Sequence, residues 1–238
     1  MNILITGGSS GLGKSITECL VTTHQQATIY FTYNSSADAA LEIEKQFSNT
    51  KAIQLDFKKE ESIQAIIEKI TSLDIDVLIN NAVTSLHKNH FHKTTAEIFS
   101  NGFSDNILPV IKITAAFIKA ARLKKAGKII TILSAAIAGT PLTGWASYTA
   151  EKNYLLSLTK SWASENVQFN IQSNCVSPEF MDTAINKDLD YRLKEEMIKT
   201  HPLKRLLTTY EVAETVNFLV TASPHINGQN IFLNNGKS

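Results

Sequence analysis

The sequence predicts an α/β fold, a doubly wound parallel sheet of about seven strands with helices on both faces. Short apolar runs alternate with longer segments of helical periodicity along the whole chain. Strands separated by helices must be joined by crossovers, and crossovers make neighbouring strands parallel. The strand cores are near-continuous apolar runs, as burial of both sheet faces requires.

Each element follows from its pattern. Ile3-Leu4-Ile5 reads as the first strand, and 11–24 as a helix. The β-branched and aromatic run 28–33 is a second strand. A helix over 38–47 leads to a strand over 51–55. Residues 60–70 carry Ile63, Ile66, Ile67 and Ile70 at the three-and-four spacing of a helix with one buried face. Val77-Leu78-Ile79 is a fourth strand, and 95–125 a long helical region read as two helices. A strand over 128–133, a helix over 148–165 and a strand over 169–176 come next. Helices over 188–199 and 210–220 precede a last strand at 231–233. No repeat or linker interrupts the pattern, so one domain, 1–238, is expected.

Composition narrows the function. A net charge of +1 gives no electrostatic footprint for nucleic acid or an anionic membrane. No run of about 18 apolar residues is present to span a bilayer. No basic segment followed by an apolar stretch precedes the first strand, so a cytoplasmic location is expected. Cys19 and Cys175 fall in a helix and a strand and read as small buried side chains. His87, His90 and His92 cluster in one loop, but no cysteine or acid nearby completes a metal site, and no metal is expected.

The first strand runs into Thr6-Gly7-Gly8-Ser9-Ser10-Gly11-Leu12-Gly13 and then a helix. Glycines allow a sharp turn and a close approach of backbone to an anion. The helix N-terminus behind them offers free N–H groups to a pyrophosphate. The second strand ends at Tyr33-Asn34-Ser35-Ser36, with no acid. An acid there selects NAD through the ribose hydroxyls and repels a 2′-phosphate. Its absence favours NADP(H), with the polar cluster as donors, although no arginine stands by and NAD(H) stays open.

Farther on, Tyr148 and Lys152 lie one helical turn apart, on one face. An ammonium beside a phenol favours the phenolate and draws the tyrosine toward useful acid–base chemistry. Ser134 stands at the C-terminal end of the fifth strand, where open α/β sheets place ligands.

Together these motifs resemble the short-chain dehydrogenase/reductase family over nearly the whole chain, and most of all its 3-oxoacyl-acyl-carrier-protein reductases. The resemblance implies a Rossmann-type fold and a catalytic set of Asn106, Ser134, Tyr148 and Lys152. Asn106 would hold a water linking the lysine to solvent, and Lys152 the nicotinamide ribose. It implies cofactor contacts from Asp56-Phe57 to adenine and from Asn80, Ala82 and Val83 to the adenosine side. Pro178, Glu179, Met181 and Thr183 would hold the carboxamide. Three departures stand out. The serine-to-tyrosine spacing is fourteen where thirteen is common, Val83 replaces a glycine, and Glu179 replaces another, which implies a changed loop path.

The expected activity is reduction of a ketone with NADPH, a β-ketoacyl thioester being favoured. Alternatives are an NAD-linked dehydrogenase of a sugar, steroid or other secondary alcohol, and a non-catalytic dinucleotide-binding subunit. Leu142 and Trp145 are placed to shape a substrate pocket, and 187–199 corresponds to a flap over the substrate. Relatives imply dimers or tetramers through the helices near 105–125 and 148–165.

Overall fold

Seven strands form one sheet in the computed structural model, which describes residues 1–84, 86–181, 183 and 191–236. They are β1 (Asn2–Ile5), β2 (Thr28–Tyr33), β3 (Thr50–Gln54), β4 (Val77–Asn80), β5 (Gly127–Ile132), β6 (Ile171–Pro178) and β7 (Asn230–Leu233). Their order across the sheet is 3-2-1-4-5-6-7, and every neighbouring pair is parallel. The helices are α1 (Gly11–Thr23), α2 (Ala37–Gln46), α3 (Glu60–Ser72), α4 (Ala96–Gly102), α5 (Leu108–Lys124), α6 (Ala146–Glu165), α7 (Tyr191–Thr200) and α8 (Thr209–Thr221).

Side chains alternate across a strand, so the central strands feed two cores. Ile3, Ile5, Val77, Ile79, Ile130 and Val176 face α1 and α8. Leu4, Leu78, Ile129 and Cys175 face the other way, toward α3, α5 and α6. The helices match this with apolar stripes: Ile63, Ile66 and Ile70 on α3, and Val110, Ile113 and Phe117 on α5. No described helix is long and apolar enough to cross a membrane.

The long helical region divides as the sequence suggests, but at an unusual joint. One π-helical turn, Phe103–Ile107, links α4 to α5. Pro109 is the cause. It has no N–H to return to the Asp105 carbonyl four residues back. Thr84 Oγ1 lies 3.3 Å from that carbonyl, but its hydrogen goes to the nearer Asn106 Oδ1 at 2.8 Å. A second difference lies before β6. Residues 167–169 form a single 3₁₀ turn, and Asn170 takes a left-handed φ of 53°, so the strand begins at Ile171. Residues 187–190 of the expected flap lie outside the described residues, and α7 covers the remainder.

The strand order reverses between β1 and β4, which leave their C-terminal ends toward opposite halves of the sheet. A crevice opens outside the strand ends at such a point.

Candidate active site

A cleft of about 670 Å³ occupies that position, within the usual size range of small-molecule sites. It is lined by residues that follow β1, β2, β3, β4, β5 and β6.

Its floor is the glycine turn. Thr6 Oγ1 accepts from the backbone N–H groups of Asn81 (3.0 Å) and Ala82 (3.1 Å). Asn81 Nδ2 donates back to the carbonyls of Thr6 (3.0 Å) and Gly7 (3.1 Å). The segment after β4 is thereby fastened to the turn after β1. Gly7 has φ 69° and Gly11 φ 51°, conformations that side chains rarely adopt. A Cβ on Gly13 would overlap the Gly7 carbonyl oxygen, whereas one on Gly11 would meet nothing within 4 Å. The first position holds helix and turn in contact; the second faces open space. Ser10, at the N-cap of α1, makes no side-chain cap, and the first turn has no acid. The opening N–H groups of α1 therefore remain available to an anion.

At one end of the cleft stand Tyr33, Asn34, Ser35 and Ser36, with Leu55 and Phe57 beside them. Ser9 Oγ and Ser36 Oγ are 2.6 Å apart and share a hydrogen bond. Ser9, Ser10, Leu12, Ala82 and Val83 also line it. Asp56 and Asn80 do not. The Asp56 carboxylate accepts from the Lys58 backbone N–H (3.0 Å) at the entry to α3. Asn80 is buried and donates to Thr114 Oγ1 on α5 (3.0 Å).

At the other end Ser134, Tyr148 and Lys152 meet. Ser134 leaves β5 extended, and its Oγ accepts from the Ala136 N–H at 3.2 Å. Its own hydrogen remains to be donated elsewhere. Trp145 stacks edge-on against the Tyr148 ring at 5.1 Å. Burial pushes the Tyr148 phenol above its ordinary value; a hydrogen bond with Ser134 pulls it down, and the Glu151 charge pushes it up. Enclosure outweighs the lowering expected from the Lys152 ammonium. Lys152 is 6% exposed, and its Nζ donates to the Ile132 carbonyl at 2.8 Å. Burial lowers the ammonium to about 8.

Asn106 lies in the π turn, buried and outside the cleft lining. Its Oδ1 accepts from Thr84 N (2.9 Å) and Thr84 Oγ1 (2.8 Å), and its Nδ2 donates to Glu151 Oε2 (2.9 Å). Its amide thus joins the segment after β4 to α6.

Pro178, Glu179, Met181 and Thr183 form the remaining wall; Asp182 lies outside the described residues. Glu179 N donates to Leu233 O (3.0 Å), and Glu179 Oε1 sits 2.6 Å from Nε2 of the buried His201. The Leu203 N–H donates to His201 Nδ1 at 3.1 Å. That assigns the ring hydrogen to Nε2, pointing at the carboxylate. The acid that replaces the expected glycine is therefore tied to the segment following α7.

Asn81, Thr84 and Glu151 are not singled out as site residues by the sequence. Asn81 is flanked by residues that are. Glu151 has a signal, an acid next to the lysine and three residues from the tyrosine.

Comparison with known proteins agrees with this geometry. Residues 7–238 match the family described as Enoyl-(Acyl carrier protein) reductase. The chain is 31% identical over 239 residues to the 3-oxoacyl-[acyl-carrier-protein] reductase FabG of Vibrio harveyi, covering 98% of this chain and 95% of that one. A solved short chain dehydrogenase/reductase family protein superimposes with a TM-score of 0.85 at 25% identity, over 99% of this chain and 96% of the other. A variant of actinorhodin polyketide ketoreductase, solved with NADPH, shares the fold at a TM-score of 0.87 and 20% identity, over 99% and 96%.

Proposed function

The chain belongs to the short-chain dehydrogenase/reductase family of NAD(P)-dependent oxidoreductases, and from that premise we propose that it reduces a ketone, a β-ketoacyl thioester by preference, with NADPH. The observation that carries the reading is that one cleft is lined both by the glycine turn and by Ser134, Tyr148 and Lys152.

The residues fit a dinucleotide. The uncapped start of α1 and the open space beside Gly11 suit a pyrophosphate. Tyr33, Asn34, Ser35 and Ser36 are neutral and polar where a 2′-phosphate would lie, and an acid there would repel it. Lys152 would hold the nicotinamide ribose, and Pro178, Glu179, Met181 and Thr183 the carboxamide. When bound, the cofactor supplies a hydride to the carbonyl carbon. Tyr148 gives its proton to the carbonyl oxygen, and Ser134 donates a hydrogen bond to that oxygen as negative charge develops. Lys152 holds the positive charge that lets the phenol regain a proton. Trp145 packs on Tyr148, and Leu142, Thr140 and Met197 line the same cleft; together they would meet the substrate chain.

Loss of reduced-nicotinamide absorbance with acetoacetyl-CoA, under NADPH and NADH in parallel, tests the reading. Tyr148→Phe should lower turnover about 10²-fold or more with cofactor binding retained. Near-normal turnover in that variant would remove the tyrosine from the chemistry. No reduction of any carbonyl by the parent chain would sink the reductase itself.

A further inference from the structure

Glu151 lies three residues after Tyr148 on α6, so the two side chains are neighbours one turn apart, and Lys152 follows it in sequence. It is absent from the cleft lining, so its role does not require contact with the substrate. Three elements nevertheless converge on it. Asn106 in the π turn donates Nδ2 to Oε2 at 2.9 Å. Thr84 fixes which way that amide points, because its backbone N–H must meet the amide oxygen (2.9 Å). Gly102, the last residue of α4, leaves the room: a Cβ there would overlap Glu151 Oε1. The carboxylate is thus held from one side and accommodated from the other.

The charged groups around it come from several elements. Lys152 shares α6 with it, and His87 reaches it from the segment after β4. Asp105 of the π turn faces it too, and is itself paired with Lys58 at 3.2 Å.

We propose that Glu151 is a positioning residue: its carboxylate, held by Asn106 one helical turn from Tyr148, adds to burial in disfavouring the phenolate and so keeps the tyrosine an acid into alkaline solution. This rests on the reading of Tyr148 as the acid. A negative charge nearby disfavours the phenolate and favours the ammonium, so it pushes Tyr148 and Lys152 alike toward their protonated forms. Burial pushes the Glu151 carboxyl up, while the Asn106 hydrogen bond and the charges of Lys152 and His87 pull it back toward ionisation.

Glu151→Gln keeps the shape and an oxygen for Asn106 but removes the charge. Tyrosinate absorbance after a pH jump, read before the chain unfolds, reports the phenol without cofactor or substrate. Subtracting the Tyr148→Phe protein, in each background, isolates Tyr148. The Gln variant should move that titration down by roughly half to one pH unit. The alkaline limb of carbonyl reduction should move with it. Gly102→Ala, which displaces the carboxylate and keeps its charge, should give a smaller shift in the same direction. A Tyr148 titration unmoved or raised in the Gln variant would overturn the proposal, since a merely structural Glu151 would leave it in place. Because this readout needs no turnover, it separates failure of the proposal from failure of the reductase reading.

Discussion

At the scale of single residues, Lys152 shows how a site works against its own fold. Its ammonium is buried, with one backbone carbonyl as its hydrogen-bond acceptor, and is lowered to about 8. An unfolded lysine titrates near 10.4. Between those values the unfolded chain binds more protons, so stability should rise with pH across about 8 to 10; below 8 the full penalty is present. Lys152→Met should therefore abolish turnover yet stabilise the protein, assayed without cofactor at pH 7, by on the order of 1 kcal/mol after the lost hydrogen bond. Its advantage should shrink as pH climbs toward 10. Denaturant midpoints of both proteins measure this, and a less stable Met variant at pH 7 would contradict it. Asn34→Asp tests cofactor choice at the same scale. The new carboxylate should weaken NADPH relative to NADH by at least about tenfold, read as a ratio of dissociation constants. Residue types at fixed spacings make Ser134, Tyr148 and Lys152 readable in the sequence, because one turn of helix and one strand end fix where they go. The Glu151–Asn106–Thr84 contacts are not readable, because they depend on how α4, α6 and the segment after β4 meet in space.

At the scale of elements, the sequence resolves helices and strands well where one face is apolar, as in α3 with Ile63, Ile66 and Ile70. It is weaker where a backbone detail rules. The π turn follows from Pro109, whose missing N–H leaves the Asp105 carbonyl out of the helical ladder, and no periodicity reveals that. Start signals carry more weight in α8. Thr208 and Glu211 form a complete capping box, and Arg205 holds the Glu211 carboxylate through two hydrogen bonds of 2.9 and 2.6 Å. Thr208→Ala should cost about 1 kcal/mol in urea unfolding. Arg205 first, then Thr208, lower Glu211 to about 2. Its contribution is present above the ordinary carboxylate range and is lost as pH falls through 2. The stability gap between the parent and Glu211→Gln should accordingly close as the solution is acidified from about pH 4 toward 2.

At the scale of the whole molecule, the fold is a sheet sandwiched between two separate cores, and the reversal of strand order opens, outside the C-terminal strand ends, the cleft that Ser134, Tyr148 and Lys152 line. Alternation along the strands makes this division foreseeable, since odd and even positions of one apolar run must face opposite layers. The thiols fall on the two sides of that division. Cys19 belongs to the core under α1 and α8, and Cys175, pushed up to about 12 by burial, to the core under α5 and α6. Neither is accessible enough to be alkylated in the folded state. Each becomes reactive only when its own side of the sandwich opens. The native chain thus carries two internal clocks, and iodoacetamide uptake at each position, resolved by peptide mass, would time the loosening of one flank independently of the other.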